Sequence, residues 1–214
     1  MKKLTLGCLF ICITLFNPLL ANDEKYKEAM KKNIATIYEA NEMDTFQEAI
    51  NSLERIAATE KTKWEPFYYI GYGNIMMATR SQDGGLKDKY LDRALDAISK
   101  AKAIAQNESE VLALEGFALL IRISVDPSSR GAMYAPEATR IFTKAVSLNE
   151  HNPRALALKA QMEFGTAQFF GSPATEACAT NSRALEKFIT DKSDNELAPT
   201  WGIVMAKQLQ SRCQ

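Results

Sequence analysis

Apolar residues recur three and four apart along most of the chain, which places them on one face of successive helices, and no stretch alternates apolar and polar residues between turn signals as a half-buried strand would. Four segments share an alanine followed four positions later by a large apolar side chain: Ala49/Leu53, Ala94/Ile98, Ala138/Phe142 and Ala184/Phe188. The alanines lie 45, 44 and 46 residues apart. A second register falls between them at Gly71, Gly116, Ala160 and Gly202, spaced 45, 44 and 42, with Phe67, Leu112 and Leu156 four positions ahead of the first three. Two interleaved registers of one period describe a repeated helical hairpin. A small residue on one helix lets its antiparallel partner approach, and the large residues fill the gaps between hairpins, since one hairpin alone cannot bury its face. The pattern predicts helices near 23–41, 44–60, 64–80, 87–106, 108–123, 135–149, 153–165, 175–190 and 197–212. Asp44, Pro136 and the Asn152-Pro153 pair supply helix-start signals.

The stretch from Ala138 through Phe142, Ala145 and Leu148 to Asn152-Pro153 resembles the second helix and exit turn of a tetratricopeptide repeat. That resemblance implies an all-α, right-handed solenoid of antiparallel hairpins, about nine helices in four and a half repeats, over residues 22–214. Trp64-Glu-Pro-Phe-Tyr-Tyr69, Val125-Asp-Pro-Ser-Ser-Arg130 and Gln168-Phe-Phe-Gly171 look similar to stretches of exported tetratricopeptide-like proteins of Bacteroidetes-type bacteria. What the resemblance implies about function is binding of another protein or a peptide.

The hairpins are longer than those of an ordinary repeat. From the small register to the alanine register the distance is 23 residues for Gly71 to Ala94, 22 for Gly116 to Ala138 and 24 for Ala160 to Ala184. The surplus falls at 81–88, 124–135 and 165–175, which are rich in Gly, Pro, Ser or Asp and are expected to be loops lying together along one edge of the solenoid.

The first 21 residues read differently. Lys2 and Lys3 precede an apolar run from Leu4 to Phe16, broken by Asn17 and Pro18 before Leu19-Leu20-Ala21. This is the pattern of a secretory signal peptide cleaved after Ala21, too short to span a bilayer, and it predicts a periplasmic or secreted product with no membrane span left after cleavage. Removing Lys2 and Lys3 leaves 24 basic residues against 26 acidic, distributed along the chain, so no basic face is offered to nucleic acid. In an oxidising compartment the two cysteines beyond the leader, Cys178 and Cys213, can form a disulfide if the fold brings them together.

Two groups of side chains suit a partner. On the third predicted helix Tyr68, Tyr69 and Tyr72 line the expected groove, Tyr68 and Tyr72 sharing a face four residues apart. At the expected loop edge stand Asp126, Arg130, Tyr134, Phe169 and Phe170. Each group also has a packing interpretation: the tyrosines as core, Asp126 with Arg130 as an internal ion pair, and the two phenylalanines as a plug between hairpins. Catalytic chemistry has little support. His151 is the only imidazole, Gly84-Gly85 leads into Leu86-Lys87-Asp88 rather than a phosphate-binding pattern, and no histidine or cysteine spacing matches a metal site. The expected role is therefore a non-enzymatic envelope protein that takes a protein or peptide partner and needs no cofactor. A small-ligand or glycan binder using the aromatic groove is the alternative.

Overall fold

A computed structural model describes residues 18–190 and 193–213. The predicted leader lies outside these residues apart from the first turn of the first helix. The described chain forms helices α1 (Pro18–Glu39), α2 (Met43–Thr59), α3 (Glu65–Arg80), α4 (Gly84–Ile104), α5 (Ser109–Val125), α6 (Pro127–Leu148), α7 (Pro153–Phe170), α8 (Thr175–Thr190) and α9 (Ile203–Arg212), with no strand among them.

The two sequence registers interlock. A Cβ placed on Gly71 would lie 2.8 Å from Ile98 Cγ1, and one on Gly116 only 2.3 Å from the Phe142 ring, so each glycine is the hole for a large residue of the alanine register. Ala49, Ala94, Ala138 and Ala184 are all buried. This contact ties α3 to α4 and α5 to α6, the most intimate pairs in the fold together with α7 and α8. The odd-numbered helices also pack on one another in series, α1 on α3, α3 on α5, α5 on α7 and α7 on α9. They form one layer and the even-numbered helices the other, with the main apolar core between them.

The surplus residues are mostly helical, which corrects the loop expectation. Asp83 ends a short turn and caps α4, its carboxylate accepting from Leu86 N at 2.7 Å. Asp126 does the same for α6, and Pro127 occupies the first turn, where the absent N–H costs nothing. Gly171, at φ 65°, ends α7 five residues later than predicted. The extra residues thus lengthen the hairpins and leave short tips. Two tips are neighbours, as expected: Arg130 of α6 reaches Asp88 of α4, and Gly84 lies against Val125.

The last helix also departs from expectation. It starts at Ile203 rather than 197, because Pro199 disfavours helical backbone at Ala198 and Gly202 takes φ 111°, a conformation open to glycine. Residues 195–202 are therefore free to run as non-helical chain, and they lie back across the odd-helix layer.

Candidate functional site

The face expected to hold a partner peptide is occupied by the chain itself. Trp201 inserts between Tyr72 of α3 and Phe117 of α5, its ring stacked at 5.1 Å and 24° on one side and 5.4 Å and 21° on the other. Its indole Nε1 donates to the Tyr68 hydroxyl at 3.0 Å. The backbone beside it is held as well: the Tyr69 hydroxyl donates to Leu197 O at 2.7 Å, Thr200 N donates to the Tyr38 hydroxyl at 3.2 Å, and Arg154 donates to Trp201 O at 3.4 Å. Arg154 is fixed by a two-pronged pair with Glu110, at 2.7 and 2.6 Å. Lys31 reaches Glu196 at 3.2 Å.

Tyr68 and Tyr69 consequently have no exposed area, and Tyr72 very little. Burial drives all three phenols well above their ordinary pKa, so they are neutral hydrogen-bonding groups at any physiological pH. In this conformation they are core residues and present no surface to a partner. The sequence places them on one helix face and carries only a weak sign of the segment that covers it. Leu197, Trp201, Tyr38, Phe117 and Arg154 were not singled out. A faint signal existed in the shortened last spacing at Gly202 and the Pro199–Gly202 flank of Trp201.

The hairpin-tip edge divides differently. Asp126 is a helix cap, accepting from Ser129 N and from the hydroxyls of Ser129 and Ser128, which hold its carboxyl below the usual range. Arg130 does not pair with it. Its guanidinium grips Asp88 with two bonds, at 2.6 and 2.8 Å, and lowers that carboxyl's pKa. Arg122 is likewise committed to Asp92 and stands 6.0 Å from the Tyr134 ring, which packs partly buried on the core. Phe169 and Phe170 fill no gap: they are 78% and 73% exposed at the end of α7, meeting edge to face at 5.1 Å. Two adjacent phenylalanines this exposed gain little from folding.

At the same end of α7 the C-terminus of the described chain is tied down. Cys178 of α8 and Cys213, just past α9, form a disulfide with a Cα separation of 5.7 Å. Arg212 lies over the Phe164 ring of α7 at 4.5 Å and donates to Gln168 Oε1 at 2.7 Å. On the even-helix side a groove of about 970 Å³ opens between α2 and α4, floored by Phe67, Ile70 and Ala97 and rimmed by charges of both signs. Among the described residues no cluster of His, Cys, Asp or Glu is arranged to hold a metal, and no helix is long and apolar enough to cross a membrane.

Among solved structures the chain is similar to the HusA haemophore from Porphyromonas gingivalis, 28% identical, with a TM-score of 0.78 over 88% of this chain and 92% of that one. It also superposes on a thermophilic TPR protein from Thermus thermophilus, with a TM-score of 0.58 over 92% of this chain and 94% of that one, at 12% identity. The second similarity is one of fold alone, and it identifies the layered hairpins as tetratricopeptide-type repeats. No protein-family model and no curated protein matches the sequence.

Proposed function

We propose that this chain is an exported, non-catalytic carrier that binds a flat, largely apolar ligand of the haem class on Phe169 and Phe170 at the end of α7. The observation that carries this reading is the similarity to a haemophore across nearly the whole of both chains. The exposed phenyl pair supports it, because a planar macrocycle laid on two aromatic rings buries apolar area on both partners and gains about 0.5–1.5 kcal/mol per ring contact besides. The peptide role expected from the repeat fold loses its natural groove, which residues 197–201 fill.

Recognition at this surface would not run through an imidazole. His151 precedes α7, at the far end of an 18-residue helix from Phe170, about 27 Å away by the helical rise. Metal-free and iron-loaded porphyrin are therefore expected to bind alike. Residues 1–21 would serve as the export signal of this carrier, a reading that N-terminal sequencing of the exported protein tests.

The binding test is titration of the purified 22–214 chain with protoporphyrin IX, followed by porphyrin absorbance and tryptophan quenching. Phe169→Ala with Phe170→Ala is expected to weaken affinity at least tenfold, about 1.4 kcal/mol, with unchanged helical circular dichroism. Absence of porphyrin binding by the wild type, or equal binding by the double variant, overturns the proposal.

A further inference from the structure

Of the arginines near the hairpin-tip edge, Arg80 is spent on the carbonyl oxygens of Met76 and Ala40. Arg122 and Arg130 hold Asp92 and Asp88 across neighbouring hairpins. Arg212 is different. Its polar partner is the neutral amide of Gln168, its flat face rests on Phe164, and among the described residues no carboxylate pairs with it. Gln168 directly precedes Phe169, so the guanidinium sits at the same end of α7 as the exposed phenyl pair, on the face that Phe164 and Gln168 share.

The element that brings it there is short. α9 has ten residues, of which Ala206 and Leu209 are buried, too little to fix its last turn by packing alone. The bridge from Cys213 to Cys178 does so at the very next residue, tying the end of α9 to α8. Two contacts and a covalent tie therefore hold a cation that no carboxylate among the described residues pairs with, at the end of α7 that carries the exposed phenyl pair.

We infer that Arg212 receives a carboxylate of the ligand whose apolar face lies on Phe169 and Phe170, and that the Cys178–Cys213 bridge is what positions it. This assignment rests on the carrier function proposed above and adds to it the ligand's second chemical feature, an acidic substituent at the rim of the ring. The guanidinium is suited to that task because its fork of donors matches a carboxylate's two oxygens. A macrocycle resting on the phenyl pair with its acidic side chains toward α9 would meet both groups at once.

The experiment compares protoporphyrin IX with its dimethyl ester, which keeps the ring and removes both charges. Wild-type protein, Arg212→Gln and the Cys178→Ser/Cys213→Ser double variant are each titrated with both compounds. Arg212→Gln is expected to lose about fivefold to tenfold in affinity for the diacid, as loss of an exposed charge-assisted bond implies, and nothing for the diester. The double cysteine variant is expected to lose the same preference while keeping its diester affinity. A merely structural role for Arg212 or the bridge would move both compounds together. Equal affinity of the wild type for the two compounds, or a diacid affinity unchanged in Arg212→Gln, overturns the assignment and leaves the carrier reading standing. Retention of the diacid preference without the bridge overturns its positioning role. Failure of the wild type to bind either compound removes the carrier reading and this assignment with it.

Discussion

Replacing Trp201 by alanine tests whether residues 195–202 are part of the core or an ornament on it. The indole is 8% exposed, stacked on both faces, and its N–H meets the Tyr68 hydroxyl, which has no exposed area of its own. Truncating a buried Trp costs about 3–5 kcal/mol in transfer and cavity terms. Leaving the Tyr68 hydroxyl without this partner costs about 1–3 kcal/mol where water does not replace it. These effects overlap, so a total near 5 kcal/mol is expected. For a chain of this size that lowers the melting temperature by roughly 10–20 °C. Trp201→Phe keeps most of the stack and loses the hydrogen bond, and should cost about 1–2 kcal/mol. Urea unfolding followed by circular dichroism measures both. Trp64, then the only tryptophan, packs edge-on against Tyr68 at 5.6 Å and reports the state of the face in its fluorescence. A Trp201→Ala variant within about 1 kcal/mol of wild type would refute the reasoning, because a segment so weakly held could not be what closes the groove.

Three further outcomes are expected. The Cys178–Cys213 bridge closes a loop of sequence separation 35, so its loss in the double serine variant should cost about 4 kcal/mol by the chain-entropy account, seen as a lower urea midpoint and faster amide exchange in α8 and α9. In alkaline titration followed by tyrosinate absorbance, Tyr26, Tyr68, Tyr69 and Tyr72 should stay silent until the protein unfolds, since burial raises each phenol above its ordinary value. The sign follows: the stability these raised groups contribute is complete below the unfolded value of about 10 and falls as pH rises beyond it, so early titration of all seven tyrosines would contradict the burial. Gly116→Ala should destabilise by about 1–3 kcal/mol, its Cβ meeting the Phe142 ring, whereas Gly165→Ala, with open space around it, should stabilise by roughly 0.5–1 kcal/mol in thermal melts.

The hairpin repeat was legible in the sequence because its defining contacts are local and periodic. Gly71 meets Ile98 and Gly116 meets Phe142, residues fewer than thirty positions apart whose sizes recur at one spacing, so pattern alone announces the pairing. Helix ends were less legible. An Asp before a short turn reads equally as loop or as cap, and only the placed backbone made Asp83 and Asp126 caps and turned the expected loops into longer helices. The partner of Arg130 was decided the same way, since a cation four residues from Asp126 found better geometry on Asp88 of the neighbouring hairpin.

By itself, then, the sequence determined the helical class, the repeat and its interlocking registers, and the presence of two cysteines able to pair. The tertiary structure alone decided which aromatic residues are surface. Tyr68 and Tyr69 meet Trp201 and Leu197 across 133 and 128 residues of chain, and Thr200 meets Tyr38 across 162. No local periodicity encodes contacts of that range. They depend on the area that the stacked odd-numbered helices leave uncovered and on a proline and a glycine that keep residues 195–202 from continuing as helix. The same physics in reverse leaves Phe169 and Phe170 in solvent: they stand at the last turn of α7, and nothing in the described chain covers them.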